Sequence, residues 1–170
     1  MLLAQAISAL GTMPDALEQR LAGLDDGQLR FKPDADHFSV LENICHLRDI
    51  EVEGYAWRLE LLLEEDDPVL PDLDGAALAR ERRYHAQAFA PVLQSFLEAR
   101  RRNLDTLARL APVDLERRGE FGDMGIIDLA QLLDMWVAHD REHLKELDQL
   151  LSILRDPAVK SAPSASLRQR

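Results

Sequence analysis

At 170 residues the chain is long enough for one domain with a real core and too short for two ordinary ones. It is 46% hydrophobic, 30% charged and only 5% aromatic, and rich in Leu, Ala, Glu and Arg, which favours helix over sheet. A formal net charge of −11 repels nucleic-acid phosphates. No apolar run reaches the roughly 18 residues that span a bilayer, so neither nucleic acid nor membrane is an expected partner.

The first helical pattern runs from about Leu3 to Leu24, with Leu3, Ala6, Ile7, Leu10, Met13, Leu17 and Leu21 at helical spacing. Pro14 should kink it or start a second segment, because proline removes a backbone donor. The opening "MLLAQAISALGTM" lacks a basic stretch before its apolar residues, so it does not read as a signal peptide and a cytoplasmic protein is expected. "GLDDGQLRFKPDADHF" reads as a connector.

A second helix opens at "SVLE", where Ser39 and Glu42 have capping-box spacing, and runs to about Glu65. On it, Leu41, Ile44, Cys45, Val52 and Leu59 mark the main apolar face. His46, Ile50, Glu53 and Trp57 form a separate stripe. The single cysteine, Cys45, excludes an internal disulfide and reads as a small core residue. Pro68 and Pro71 make "DDPVLPDLDG" an extended loop.

A short helix is expected near Ala76 to Gln87, then a long one from about Phe89 to Leu110, split at Pro91. Within it, Arg100-Arg101-Arg102 reads as a solvated face. The last helix should start near Ile126 and end near Leu154, before Pro157. The fold class is therefore all-α, a four-helix bundle with one additional short helix. The bundle domain spans 1–156, and 157–170 reads as a disordered tail.

On the last helix Leu132, Trp136, His139, His143, Leu147 and Leu150 follow at steps of three or four, so two histidines share the core-facing stripe. Asp134, Arg141, Lys145 and Asp148 fall elsewhere on the wheel, and Asp140 and Glu142 read as outer-face residues. Two imidazoles among leucines need partners for their nitrogens. Hydrogen-bonded core histidines would satisfy that need. So would a divalent metal, for which the i, i+4 spacing supplies two ligands. If the His46 stripe meets the last helix, a third imidazole completes a site with positions left open for water or substrate. Asp49 and Glu53, one and two turns beyond His46, are candidates to orient an imidazole, accept a proton or supply a carboxylate ligand, or else lie on a solvated acidic edge. His37 and His85 have no partner at ligand spacing.

"FSVLENICHLRDIE", with "AHDREHL" downstream, resembles the DinB/YfiT-like metalloenzymes. The order between them matches too: a proline-bearing loop, "ARERRYHAQAF", a long helix, and "FGDMGIIDLAQLL" before the histidine pair. The resemblance spans roughly Met13 to Leu154. It implies a four-helix bundle in which His46, His139 and His143 hold a divalent metal (nickel, zinc, iron or manganese). It also implies a small-molecule substrate and a homodimer. The implied activity is hydrolysis or transfer dependent on a low-molecular-weight thiol such as bacillithiol, mycothiol or glutathione. The alternative is a non-catalytic bundle used for dimerisation or stress-related binding.

Overall fold

The computed structural model describes residues 2–155; the expected tail at 157–170 lies outside the described residues. Its architecture is all-α, with four long rods packed side by side. The first rod is two helices, α1 (Leu3–Gly11) and α2 (Met13–Leu21), with Pro14 in the first turn of α2, where its missing N–H costs nothing. Proline thus starts a segment here. The connector expected after it contains a short helix, α3 (Asp26–Arg30), because the Asp25 carboxylate accepts from the Gln28 N–H at 2.8 Å.

The second rod is α4 (Val40–Asp49), a π-helical segment (Ile50–Ala56) and α5 (Trp57–Glu64). Its start follows the expected capping box: the Glu42 N–H donates to Ser39 Oγ at 3.2 Å, and the Ser39 N–H donates to Glu42 Oε2 at 2.8 Å. The π segment is not visible in the sequence pattern. Its wider turn rotates the downstream residues, and Val52, expected on the core face, is instead 40% exposed.

After α6 (Gly75–Glu81) a single 3₁₀ turn at Tyr84–Ala86 replaces the end of the helix expected to reach Gln87. The third rod, α7 (Phe89–Leu107), carries Pro91 in its first turn without a break. A two-stranded antiparallel hairpin, β1 (Arg118–Glu120) and β2 (Ile126–Asp128), then precedes the last rod; the helical pattern did not foretell it. The 66–74 loop lies tightly against it. The Leu70 N–H donates to Glu120 O at 2.7 Å, and a Cβ on Gly119 would fall 2.8 Å from Pro68 O. Asp128 and Gln131 cap one another reciprocally, so the final helix, α8 (Leu129–Arg155), starts after Asp128.

The apolar core has two halves. One surrounds Leu41, Ile44, Phe96 and Leu147; the other surrounds Leu10, Leu62, Leu132 and Trp136. A buried polar network spans the second half. Arg100 is only 1% exposed, not part of a solvated face as expected. Its guanidinium donates to both oxygens of Glu51 at 2.8 Å, to Asp140 at 2.6 and 3.0 Å, and to Leu10 O at 2.9 Å. Asn103 Nδ2 and Trp136 Nε1 donate to the same Glu51 carboxylate. Asp140, expected on the outer face, is therefore buried at 5% exposure, because Arg100 of α7 reaches inward to meet it. Arg101, Arg102 and Glu142 do face solvent. The network ties α1, α7, α8 and the π segment to one point, and so sets the rotation of α8 relative to the second rod.

Candidate metal centre

His46 projects from the last turn of α4, just before the helix widens, and His139 and His143 from the middle of α8. Being four residues apart, the latter two lie one above the other on one helix face. The rotation set by the Arg100 network turns that face toward α4. The result is a cluster in which one nitrogen from each of the three rings lies within 4.8 Å of the other two. His46 Nε2 and His139 Nε2 are 3.3 Å apart, and the ring centroids are separated by 4.4 to 5.4 Å.

The cluster is held from behind. Asn43 Nδ2 donates to Ser39 O at 3.2 Å, which turns Asn43 Oδ1 toward His143 Nδ1 at 3.1 Å. Glu146 Oε2 lies 3.0 Å from the same nitrogen. A ring nitrogen between two acceptors carries the hydrogen, leaving the lone pair of the neutral ring on Nε2. Tyr55 stacks on Trp136 with centroids 4.7 Å apart and meets the His139 ring edge-on, walling that ring from solvent. His46 is packed against backbone: a Cβ on Gly75 would fall 2.6 Å from its Cε1 and 2.8 Å from its Nδ1.

Burial sets the protonation state. It lowers the pKa of His46 from its ordinary 6.5 to about 4, with a further contribution from His143. Burial lowers His139 still more, again helped by its two histidine neighbours. Neutral imidazole is the form that binds metal. At 3.3 Å the Nε2 atoms of His46 and His139 either share one hydrogen or, both unprotonated, converge on one ion, and three clustered neutral imidazoles form a donor set that fits a divalent metal. Imidazole nitrogens suit zinc, nickel and iron by ligand type. Among the described residues His46 Nδ1 is buried without a hydrogen-bond partner, an unusual cost for a ring with no further task.

The two candidate carboxylates sit differently from expectation. Asp49 is 3% exposed; it accepts from Tyr84 Oη at 2.6 Å and Arg48 Nε at 2.6 Å, and pairs with Arg82 at 2.9 Å. Glu53 forms a bidentate pair with Arg82, both contacts at 2.7 Å. Neither hydrogen-bonds an imidazole; both fasten the second rod to the segment around α6. The side chains that do touch a ring nitrogen, Asn43 and Glu146, were missed, although Glu146 continues the 139, 143 stripe by three residues. Cys45 is fully buried, and burial pushes its thiol up to about 12, so it is core, as expected. His37 and His85 are exposed and stand apart from the cluster.

A pocket of about 430 Å³ opens beside His143. Phe38, Leu150 and Ile153 form its apolar wall, and Asp36, His37 and Glu146 its polar one. Of the three histidines His143 lines it, together with Asn43 and Glu146.

The model of the DinB superfamily matches residues 9–147. Two curated proteins, each named "Putative metal-dependent hydrolase", are similar along most of their length. The one from Oceanobacillus iheyensis is 26% identical over 145 residues, covering 85% of this chain and 83% of its own. The one from Halalkalibacterium halodurans is 26% identical over 147 residues, covering 85% and 84%. Among solved structures, YfiT from Bacillus subtilis, described as a probable metal-dependent hydrolase with an unusual four-helix bundle topology, superposes with a TM-score of 0.81. Identity to it is 23%, over 89% of this chain and 87% of YfiT, which establishes the shared fold. With most of the chain matched by the family model and the bundle matched in space, the protein belongs to the DinB superfamily.

Proposed function

We propose that the protein is a metal-dependent hydrolase acting on a small molecule, with His46, His139 and His143 as the ligands of one divalent ion. The observation that carries this is the convergence of three ring nitrogens from two separate helices within 4.8 Å. Hydrolysis is favoured over thiol-dependent transfer by the names that similar proteins carry. A divalent cation bound there would supply Lewis acidity to a scissile carbonyl or phosphoryl group and make water nucleophilic near neutral pH.

The chain's own groups do the rest. Asn43 and Glu146 hold His143 in the tautomer that leaves Nε2 facing the cluster. Tyr55 and Trp136 exclude water from behind His139. Three protein ligands leave room for both water and substrate. The pocket beside His143 would admit the substrate next to the cluster. Asp49 and Glu53, bound to Arg82, fasten the second rod to the segment around α6.

The test is elemental analysis of purified protein, followed by hydrolysis of a panel of esters, amides and phosphoesters with and without chelation. About one divalent ion per chain is expected. Chelation should abolish hydrolysis and metal addition restore it. A fully loaded protein that hydrolyses none of the panel but conjugates electrophiles to a thiol would replace hydrolysis with transfer. A protein that never retains metal would support the non-catalytic bundle.

A further inference from the structure

The pocket beside His143 bears on what the site accepts, and this inference rests on the hydrolase reading above. Its charged lining is one-sided. Asp34, Asp36 and Glu146 border it, and among the described residues no lysine or arginine does. Among the described residues the one basic side chain there besides His143 is His37, whose Nδ1 lies 2.7 Å from Asp34 Oδ1, so its charge is matched locally. Asp36 and Glu146, the latter also 3.0 Å from His143 Nδ1 through one oxygen, face an incoming molecule. Lys32, close in sequence, is turned away to Glu42 at 3.1 Å. The opposite wall is apolar, from Leu150 and Ile153, with the Phe38 ring beside it.

Among the described residues, an anion entering here would meet two carboxylates and no lysine or arginine. A neutral apolar group would gain contact with Leu150, Ile153 and Phe38. A cation on an apolar stem would gain those contacts, the carboxylates and the face of an aromatic ring. We infer that the pocket selects substrates carrying a cationic group, an ammonium or guanidinium, on an apolar segment. The cationic end lies among Asp36, Glu146 and Phe38, and the scissile bond points toward the three histidines. This excludes as preferred ligands small molecules whose recognition elements are carboxylates or phosphates.

Binding can be measured without turnover. Benzyltrimethylammonium, benzyl alcohol and benzenesulfonate share a ring and differ in charge, and a quaternary ammonium cannot ligate a metal. Each would be titrated by NMR or calorimetry into metal-loaded and metal-stripped protein at low and high salt. The cation should bind at least about tenfold more tightly than the sulfonate to the metal-stripped protein at low salt, and the margin should shrink as salt screens the carboxylates. Asp36→Asn and Glu146→Gln should each reduce that margin several-fold while leaving benzyl alcohol unchanged. Ile153→Trp should weaken all three probes by filling the pocket.

Equal or tighter sulfonate binding to the metal-stripped protein would overturn the inference. So would binding of all three probes that is insensitive to Ile153→Trp, or no binding of the cation. The metal-stripped arm separates the two claims. A cation preference in a protein that never takes up metal would sink the hydrolase proposal and leave the pocket's selectivity standing; a loaded, hydrolytic protein without that preference would do the reverse.

Discussion

An imidazole ring buried beside two others is a poor base, and that is what makes it a ready ligand. His46 has its pKa lowered to about 4, and His139 lies lower, both chiefly through burial. Their folded-state values therefore lie below those of the unfolded chain. Between the two, the unfolded state binds more protons, so stability rises with pH through that window and is lost on acidification. Metal-free protein should lose on the order of 3 kcal/mol from His46 alone as pH falls from about 6.5 to about 4, at 1.36 kcal/mol per unit. Chemical denaturation across that range checks it; a flat profile would mean that the rings are not held neutral. Asn43→Ala removes one of two acceptors on His143 Nδ1 and should weaken metal affinity about 10- to 100-fold, measured by competition with a chelator.

At this scale the sequence was informative about the three histidines, because helical spacing is readable from residue types. The partners of Asp49 and Glu53 were not readable. Arg82 and Tyr84 reach them from a segment some thirty residues away, and no periodic pattern encodes that meeting.

Among the elements, the second rod shows what a helical wheel misses. The capping box at Ser39 fixed its start, and Glu64 its end, close to expectation. The π segment between them turned Val52 outward and carried Glu51 and Tyr55 inward. A wheel drawn at a uniform 100° per residue cannot foresee one wide turn. The short α6 matters for a related reason, since its first residue must be small. Gly75→Ala places a methyl group where the His46 ring now lies. A contact of 2.6 Å must be relieved by a shift of the ring or of α6, so the variant should lower the thermal midpoint modestly and lose metal affinity by at least about tenfold. Unchanged affinity would show that Gly75 does not set the ring's position.

For the whole molecule, four rods have to be locked in one mutual rotation, and leucine stripes alone tolerate several. The Arg100 network supplies the missing constraint, joining α1, α7, α8 and the π segment through paired charges with almost no exposure. Burial of the guanidinium opposes its charge, but the Asp140 and Glu51 carboxylates outweigh that and hold it protonated. Arg100→Leu would strand two buried carboxylates and should cost about 3–5 kcal/mol in denaturant unfolding. A loss below about 1 kcal/mol would show that packing alone sets the rotation. The bundle itself was legible from composition and 3.6-residue periodicity. This network was not, because Arg100 in a basic triplet and Asp140 beside an arginine both look like surface residues until α7 and α8 are brought together with the π segment.

All of this depends on the His46 ring sharing one ion with the pair on α8. X-ray absorption at the edge of the bound metal, in the purified protein and in His46→Ala, measures that directly. The account predicts three imidazole nitrogens around the metal, falling to two in the variant with the helical fold retained. A spectrum that is unchanged in His46→Ala would contradict it.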